Sequence, residues 1–259
     1  MGTALNALKL LDFFSASRPE IGLSQLARLA RANKATVLRH LRSLEEFGLI
    51  EQNPLTKYYA IGPAAIRLAA LREAANPRLD AARLRMQTAM QEVGESLHLS
   101  FLEKDILQTA LVVETTKHTV RVSLDPTEVM PINATASGLS MLCYGPPTLM
   151  TQVNSGELQN FTKETLTDPD QIRAQVETIR NRGWSNSNGS YEMGVHGFAA
   201  PIFGIDRVAI GTVAFAMPEN RASDDRVPVI LAALHTLAKD LTAIFGGQVP
   251  EAFPPEFHP

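Results

Sequence analysis

Between Ser24 and Gly62 the apolar positions follow first a helical and then an extended rhythm. Val37, Leu38, Leu41, Leu44 and Phe47 recur at three- and four-residue intervals, the stripe of an amphipathic helix, and Gly48 follows as its C-cap. Lys34, Thr36, Arg39, His40, Arg42 and Ser43 occupy the other face, with the acids Glu45 and Glu46 held to the far end. Ahead of this helix, Ser24 is the candidate N-cap of a shorter one whose inner face is Leu26, Leu29 and Ala30. Behind it, Leu49-Ile50-Glu51 and Lys57 to Ile61 frame the turn signal Asn53-Pro54, with Tyr59 and Ile61 on one face of the second run and Tyr58 on the other. Helix, turn, helix and hairpin in that order predict a winged helix-turn-helix.

The polar face of the second helix suits a DNA groove. Cationic forks meet phosphates or guanine edges, hydroxyls meet phosphates or bases, and the helix N-terminus offers free N–H groups. The candidate DNA-contacting residues are Ser24, Gln25, Lys34, Thr36, Arg39, His40, Arg42, Lys57 and Tyr58. An isolated helix with a charged face is usually a solvated surface helix; it is the surrounding order of elements that favours a double-stranded DNA partner.

Outside this region, Leu5, Leu8, Leu11 or Asp12, and Phe13 or Phe14 predict a first helix over residues 3–15, ending near Ser15-Ala16-Ser17-Arg18-Pro19. Pro63 opens a helical run from Ala64 to Ala75 with Ile66, Leu68 and Leu71 as its apolar positions. Asn76-Pro77 interrupts it, and the pattern resumes from Leu79 to Leu97 through Met86, Met90 and Val93. Such helices can link two domains or serve as a dimer seam. From Ser96 the period becomes extended: strands are expected at Leu97–Leu102, Leu107–Glu114 and Thr119–Leu124, then at Trp184–Ser190, Phe198–Phe203 and Val208–Met217. Tyr191 to Gly197 is expected to be a loop. A helix capped by Asp168 or Asp170 carries Ile172, Val176 and Ile179 inward and closes at Arg182-Gly183; a last helix runs from about Asp225 to Phe245. The fold class is α/β (α+β), with a mostly antiparallel sheet in the second domain. The expected division is a DNA-binding domain over 1–63, a linker helix over 64–78, a second domain over 79–247 and a loose tail over 248–259.

Charge sharpens this division. Residues 1–72 hold ten Lys and Arg against five acids, a net of +5, whereas the other 14 bases and 22 acids give −8. One end is built to approach a polyanion. A single cysteine, Cys143, excludes an intrachain disulfide. No leader pattern and no run of eighteen apolar residues stands out, so a soluble cytoplasmic chain with no membrane partner is expected.

In their order and spacing, the segments "ALKLLDFF", "LSQLARLA", "NKATVLRHLRSLEEFGLIE", "YAIG", "MPINATASGLSMLC", "FTKETLTDP", "IRNRGW" and "GVHGFAAPIFG" resemble the IclR (isocitrate lyase regulator) family of bacterial transcription factors over nearly the whole chain. The resemblance implies a winged helix-turn-helix on a GAF-like effector-binding domain and a homodimer or tetramer. It also implies control of a catabolic operon by a small organic acid or aromatic metabolite; no cofactor is expected. Six positions depart from the family pattern. Arg31-Ala32 stands where Gly-Leu is usual in the turn, Asn133 where histidine is common, Ser187 and Ser190 where acids are frequent, and Gly197 where cysteine is frequent.

Within that resemblance, Asn133, Ala134, Thr135, Ala136, Ser137 and Gly138 precede an apolar helix and form a candidate cradle for a carboxylate, although an ordinary N-cap by Thr135 or Ser137 reads equally well from the residues alone. Ser187, Asn188, Gly197 and Phe198 are expected on the opposite wall, with Phe101, Met130, Trp184 and Met193 as apolar lining. Catalysis finds little support. Cys143 lies in an apolar helix, where a buried structural thiol is the commoner case, and the six histidines show no metal-ligand spacing. A ligand-responsive regulator is favoured over a DNA-binding protein whose second domain only oligomerises, and over an enzyme with an appended DNA-binding domain.

Overall fold

The computed structural model describes residues 3–15, 18–74, 77–123, 125–156 and 158–257. Ala16 and Ser17 at the expected end of the first helix, Ala75 and Asn76 at the expected break between helices, Leu124 at the expected end of the third strand, and His258 lie outside them. The chain divides into two compact units, Met1–Pro77 and Arg78–Pro259.

The first unit runs α1 (Thr3–Leu8), β1 (Glu20–Ile21), α2 (Leu23–Leu29), α3 (Lys34–Phe47), β2 (Ile50–Gln52), β3 (Tyr59–Ile61) and α4 (Ala64–Ala74). The helix expected over 3–15 is shorter, because the chain turns after Leu8 and continues as a single 3-10 turn at Leu11–Phe13. β1 was not expected. It pairs with β3 to give an antiparallel sheet in the order β1-β3-β2. Leu10, Ile21, Leu26, Val37, Leu41, Leu44, Ile50 and Tyr59 form the core. α2 begins one residue after Gly22, so Ser24 sits inside its first turn rather than capping it, and Ala27 is buried while Leu29 is exposed.

The second unit contains α5 (Pro77–Val93), β4 (Ser96–Glu103), β5 (Ile106–Val113), α6 (Ala136–Tyr144), α7 (Leu149–Asn154), α8 (Pro169–Arg182), β6 (Ser185–Asn188), β7 (Val195–Phe203), β8 (Ala209–Pro218) and α9 (Val227–Ile244). Among the described residues its five strands are antiparallel in the order β5-β4-β8-β7-β6. Asp168 caps α8 by accepting from Asp170 N, and Gly183 ends it at φ +84. α9 is long and apolar enough to cross a membrane, but Ile230, Leu231, Leu234, Leu237 and Leu241 are buried in the core of this unit.

Three expectations are corrected. Residues 119–123 form no strand, because the outer edge of β5 is taken by the chain at Glu128 to Met130: Thr109 N donates to Glu128 O and Met130 N to Leu107 O. The expected loop ends early, since β7 starts at Val195. The tail is not loose; Phe253 and Phe257 are buried, and their rings pack edge-on to Tyr144, Phe203 and His235.

Candidate functional site

The α2–α3 turn is closed by two residues. Arg31 adopts the left-handed conformation, φ +48, at the position usually given to glycine, and Asn33 stays extended and caps α3 by accepting from Thr36 N at 2.8 Å. Lys34, Arg39 and Arg42 are then exposed on one side of α3, with Thr36 half-buried. The buried side is Val37, His40, Leu41 and Leu44, an i, i+3, i+4, i+7 stripe. His40 therefore belongs to the inner face and not to the open one; Leu38 and Phe47 flank the stripe, and Arg67 lies over the Phe47 ring.

Ser24, Arg28, Arg31, Asn33 and Lys34 line one surface notch where α2 meets α3. Arg28 and Arg31 were missed from the sequence; their signal is their placement on the turn between the two helices. Gln25 is half-buried. At the wing, Asn53 Oδ1 accepts from Leu55 N and Thr56 N, and Lys57 is exposed at φ +61. Tyr58 is half-exposed, and its ring leans on Gly22, where an added methyl would approach to 3.3 Å.

In the second unit, alternation along the strands places mostly small residues, with His98 at one end, in two adjacent rows of the sheet. His98, Ala214, Ala199 and Ser185 are register neighbours across β4, β8, β7 and β6, as are Ser96, Ala216, Gly197 and Ser187. Residues two apart share a face, so the rows form one shallow floor that large side chains would have filled. α6 lies over it: Ser185 Oγ donates to Ala136 O at 2.7 Å, and Ala136 N donates to Ser187 Oγ at 3.1 Å. Between floor and helix is a cavity of about 70 Å³, with His98, Met130, Thr135, Ser137, Ser187 and Gly197 in its wall. Val122, Ser123 and Glu128 close one side, and Tyr191, Glu192 and Val195 another.

Five expected residues do not reach this cavity. Phe198 and Asn188 alternate with Gly197 and Ser187 and point the other way, Asn188 donating to Glu219 Oε1 at 3.0 Å. Gly138 is pressed onto the Pro131-Ile132 backbone, where a Cβ would come within 2.3 Å of Pro131 O. Asn133 is buried and donates to Gln159 O and Leu166 O, and Ala134 is buried beside it. Of the expected apolar lining only Met130 takes part. His98, Glu128 and Tyr191 were missed, because a strand, a loop and a second loop bring them together and no local pattern does.

His98 Nε2 lies 3.1 Å from Ser137 Oγ, and Nδ1 is buried without a partner among the described residues. Burial pushes the imidazole down to about 4, so it is neutral. Tyr191 donates its hydroxyl to Glu128, and burial together with that carboxylate raises it above the ordinary tyrosine range. Cys143 is half-buried in α6 with its thiol directed at Val176 O, and burial pushes it up to about 11, the setting of an inert thiol.

Residues 3–54 match the IclR helix-turn-helix domain, and residues 76–243 match the C-terminal domain of the bacterial transcriptional regulator IclR. The transcriptional repressor IclR of Escherichia coli is 25% identical over 243 residues, which cover 93% of this chain and 88% of that one. A candidate IclR transcriptional regulator from Silicibacter sp. superposes with a TM-score of 0.89 at 40% identity, covering 98% of this chain and 100% of that one. An IclR homolog from Microbacterium hydrocarbonoxydans, solved in complex with 4-hydroxybenzoate, superposes at 0.78 with 21% identity over 95% and 99% of the two chains.

Proposed function

The chain belongs to the IclR family of bacterial transcriptional regulators, a DNA-binding regulator with an effector-binding C-terminal domain and not an enzyme, and from that premise we propose how it works. α3 enters the major groove of an operator, with Lys34, Thr36, Arg39 and Arg42 toward the duplex and Ser24, Gln25, Lys57 and Tyr58 at its edges. The observation that carries this reading is the clean separation of α3 into an exposed cationic side and a fully buried one. The cavity under α6 takes a small metabolite whose binding changes operator affinity, and the genes controlled are catabolic. The 4-hydroxybenzoate held by the Microbacterium homologue supports a small ligand in this fold.

The active form is a homodimer or tetramer acting in the cytoplasm, where its DNA lies. Two copies would read half-sites about 34 Å apart or a multiple of it. The exposed Ile66 and Leu71 of α4 support self-association.

Footprinting on the chain's own upstream DNA, with and without candidate metabolites, tests the whole reading. A protected palindromic site whose occupancy responds to a metabolite is expected. Ser137→Ala should abolish that response and leave DNA affinity unchanged. No preference for any genomic fragment over bulk competitor would overturn it, and binding indifferent to every metabolite would leave the second unit to self-association alone.

A further inference from the structure

The charge of the cavity under α6 carries an inference about its ligand. Among the described residues Glu128 and Glu192 line it, and no Lys or Arg does. Neither acid is paired with a cation among the described residues. Tyr191 reports the same field, its hydroxyl held up by burial first, then by Glu128, Glu192 and Asp125.

Two positive features could offset this, and both are weak. The neutral His98 supplies no charge at pH 7. The N-terminus of α6 contributes about half a charge, but Ala136 N is already given to Ser187 Oγ at 3.1 Å and Gly138 N to Thr135 Oγ1 at 2.9 Å. Half a partly used positive charge faces two full negative ones. A carboxylate entering here would lose its hydration and meet two like charges.

Accepting this cavity as the effector site, we propose that its ligand is a small amine, held as the ammonium by Glu128 with its carbon body against Met130 and Val195, and not a free carboxylate. Glu192 lies at the exposed rim and adds attraction. His98 Nδ1, nine-tenths buried and without a partner among the described residues, is the second acceptor when Nε2–H donates to Ser137. This departs from the organic acid expected from the family resemblance.

Calorimetry on the full chain at pH 7 with two matched sets, benzylamine, benzyl alcohol and benzoate, then butylamine, butanol and butyrate, tests it. The amine of at least one set should bind at least tenfold tighter than its carboxylate. Glu128→Gln should remove most of that ratio, and Glu192→Gln, at an exposed position that tolerates substitution, should reduce it in part. Carboxylates that bind as tightly as their amines in both sets, or a ratio untouched in both variants, would overturn the amine assignment while keeping the cavity as a ligand site. Heat released by no member of either set would overturn the assignment together with the site reading it rests on.

Discussion

Arg221 closes a fork on the buried carboxylate of Glu95, Nε to Oε1 at 2.8 Å and Nη2 to Oε2 at 2.7 Å. Arg226 adds a third contact to Oε1 at 3.0 Å and donates to Val93 O at the end of α5, while Arg221 Nη1 holds Val120 O, two residues before the cavity wall begins at Val122. One buried charge thus ties the end of α5 to the segment that closes the cavity. Breaking a buried pair leaves an uncompensated charge and costs about 3–5 kcal/mol. Arg221→Ala should lose stability at the low end of that range, because Arg226 remains, and it should also weaken ligand binding by freeing Val120. Arg221→Lys, which keeps the charge without the fork, should lose less. Urea unfolding of the second unit measures both variants; a midpoint unchanged in Arg221→Ala would refute the claim.

On α3, Arg39 and Lys34 should fail differently. Arg39→Ala should cost about 1–3 kcal/mol and relax sequence preference if its guanidinium reads a base edge, whereas Lys34→Ala should weaken all sequences alike and lower the salt slope by about one. Fluorescence anisotropy with operator and random duplexes over a salt series separates the two. Unchanged operator affinity in Arg39→Ala at physiological salt would count against α3 as the reading helix.

What could be read from the chain alone divides along the range of the interactions. α3, its Gly48 stop, the wing and the cap of α8 are set by neighbours close in sequence, from two residues apart at the cap to eleven across the wing, and the sequence displays those patterns directly. His40 was placed on the wrong face because its chemistry looked functional, although its spacing from Val37 and Leu44 already belonged to the buried stripe. The cavity was half legible. Thr135, Ala136 and Ser137 are adjacent and Ser187 and Gly197 are small, but His98, Glu128 and Tyr191 meet only through sheet register and two long connections. The proline-rich tail misled for a similar reason, since Phe253 and Phe257 find their partners far away in sequence.

Arg31 offers a separation of stability from function. Its left-handed backbone costs about 1–2 kcal/mol, and a glycine there would recover this strain less about 0.4–1 kcal/mol of added unfolded-state entropy. Arg31→Gly should therefore stabilise the first unit by up to about 1.6 kcal/mol while weakening DNA binding through the lost cation in the α2–α3 notch. Thermal unfolding and anisotropy on the same preparation check both signs. A destabilised variant would mean that the side chain makes contacts outweighing the strain.

His98 gives the second unit a pH dependence with a definite sign. The folded imidazole is pushed down to about 4 by burial, while in the unfolded chain it titrates near its ordinary 6.5. Between these values the unfolded state binds a proton that the folded state refuses, so the stabilising contribution is complete above about pH 6.5 and is lost as pH falls toward 4. At about 1.4 kcal/mol per unit the whole window is worth about 3 kcal/mol. Other acids titrate in the same range, so the readout is the difference between the wild-type chain and His98→Gln in urea unfolding from pH 4 to pH 7. The variant should lose less stability on acidification, and the two curves should converge toward pH 4. Parallel curves would mean that water reaches the imidazole and that the folded state takes up the proton as readily as the unfolded one.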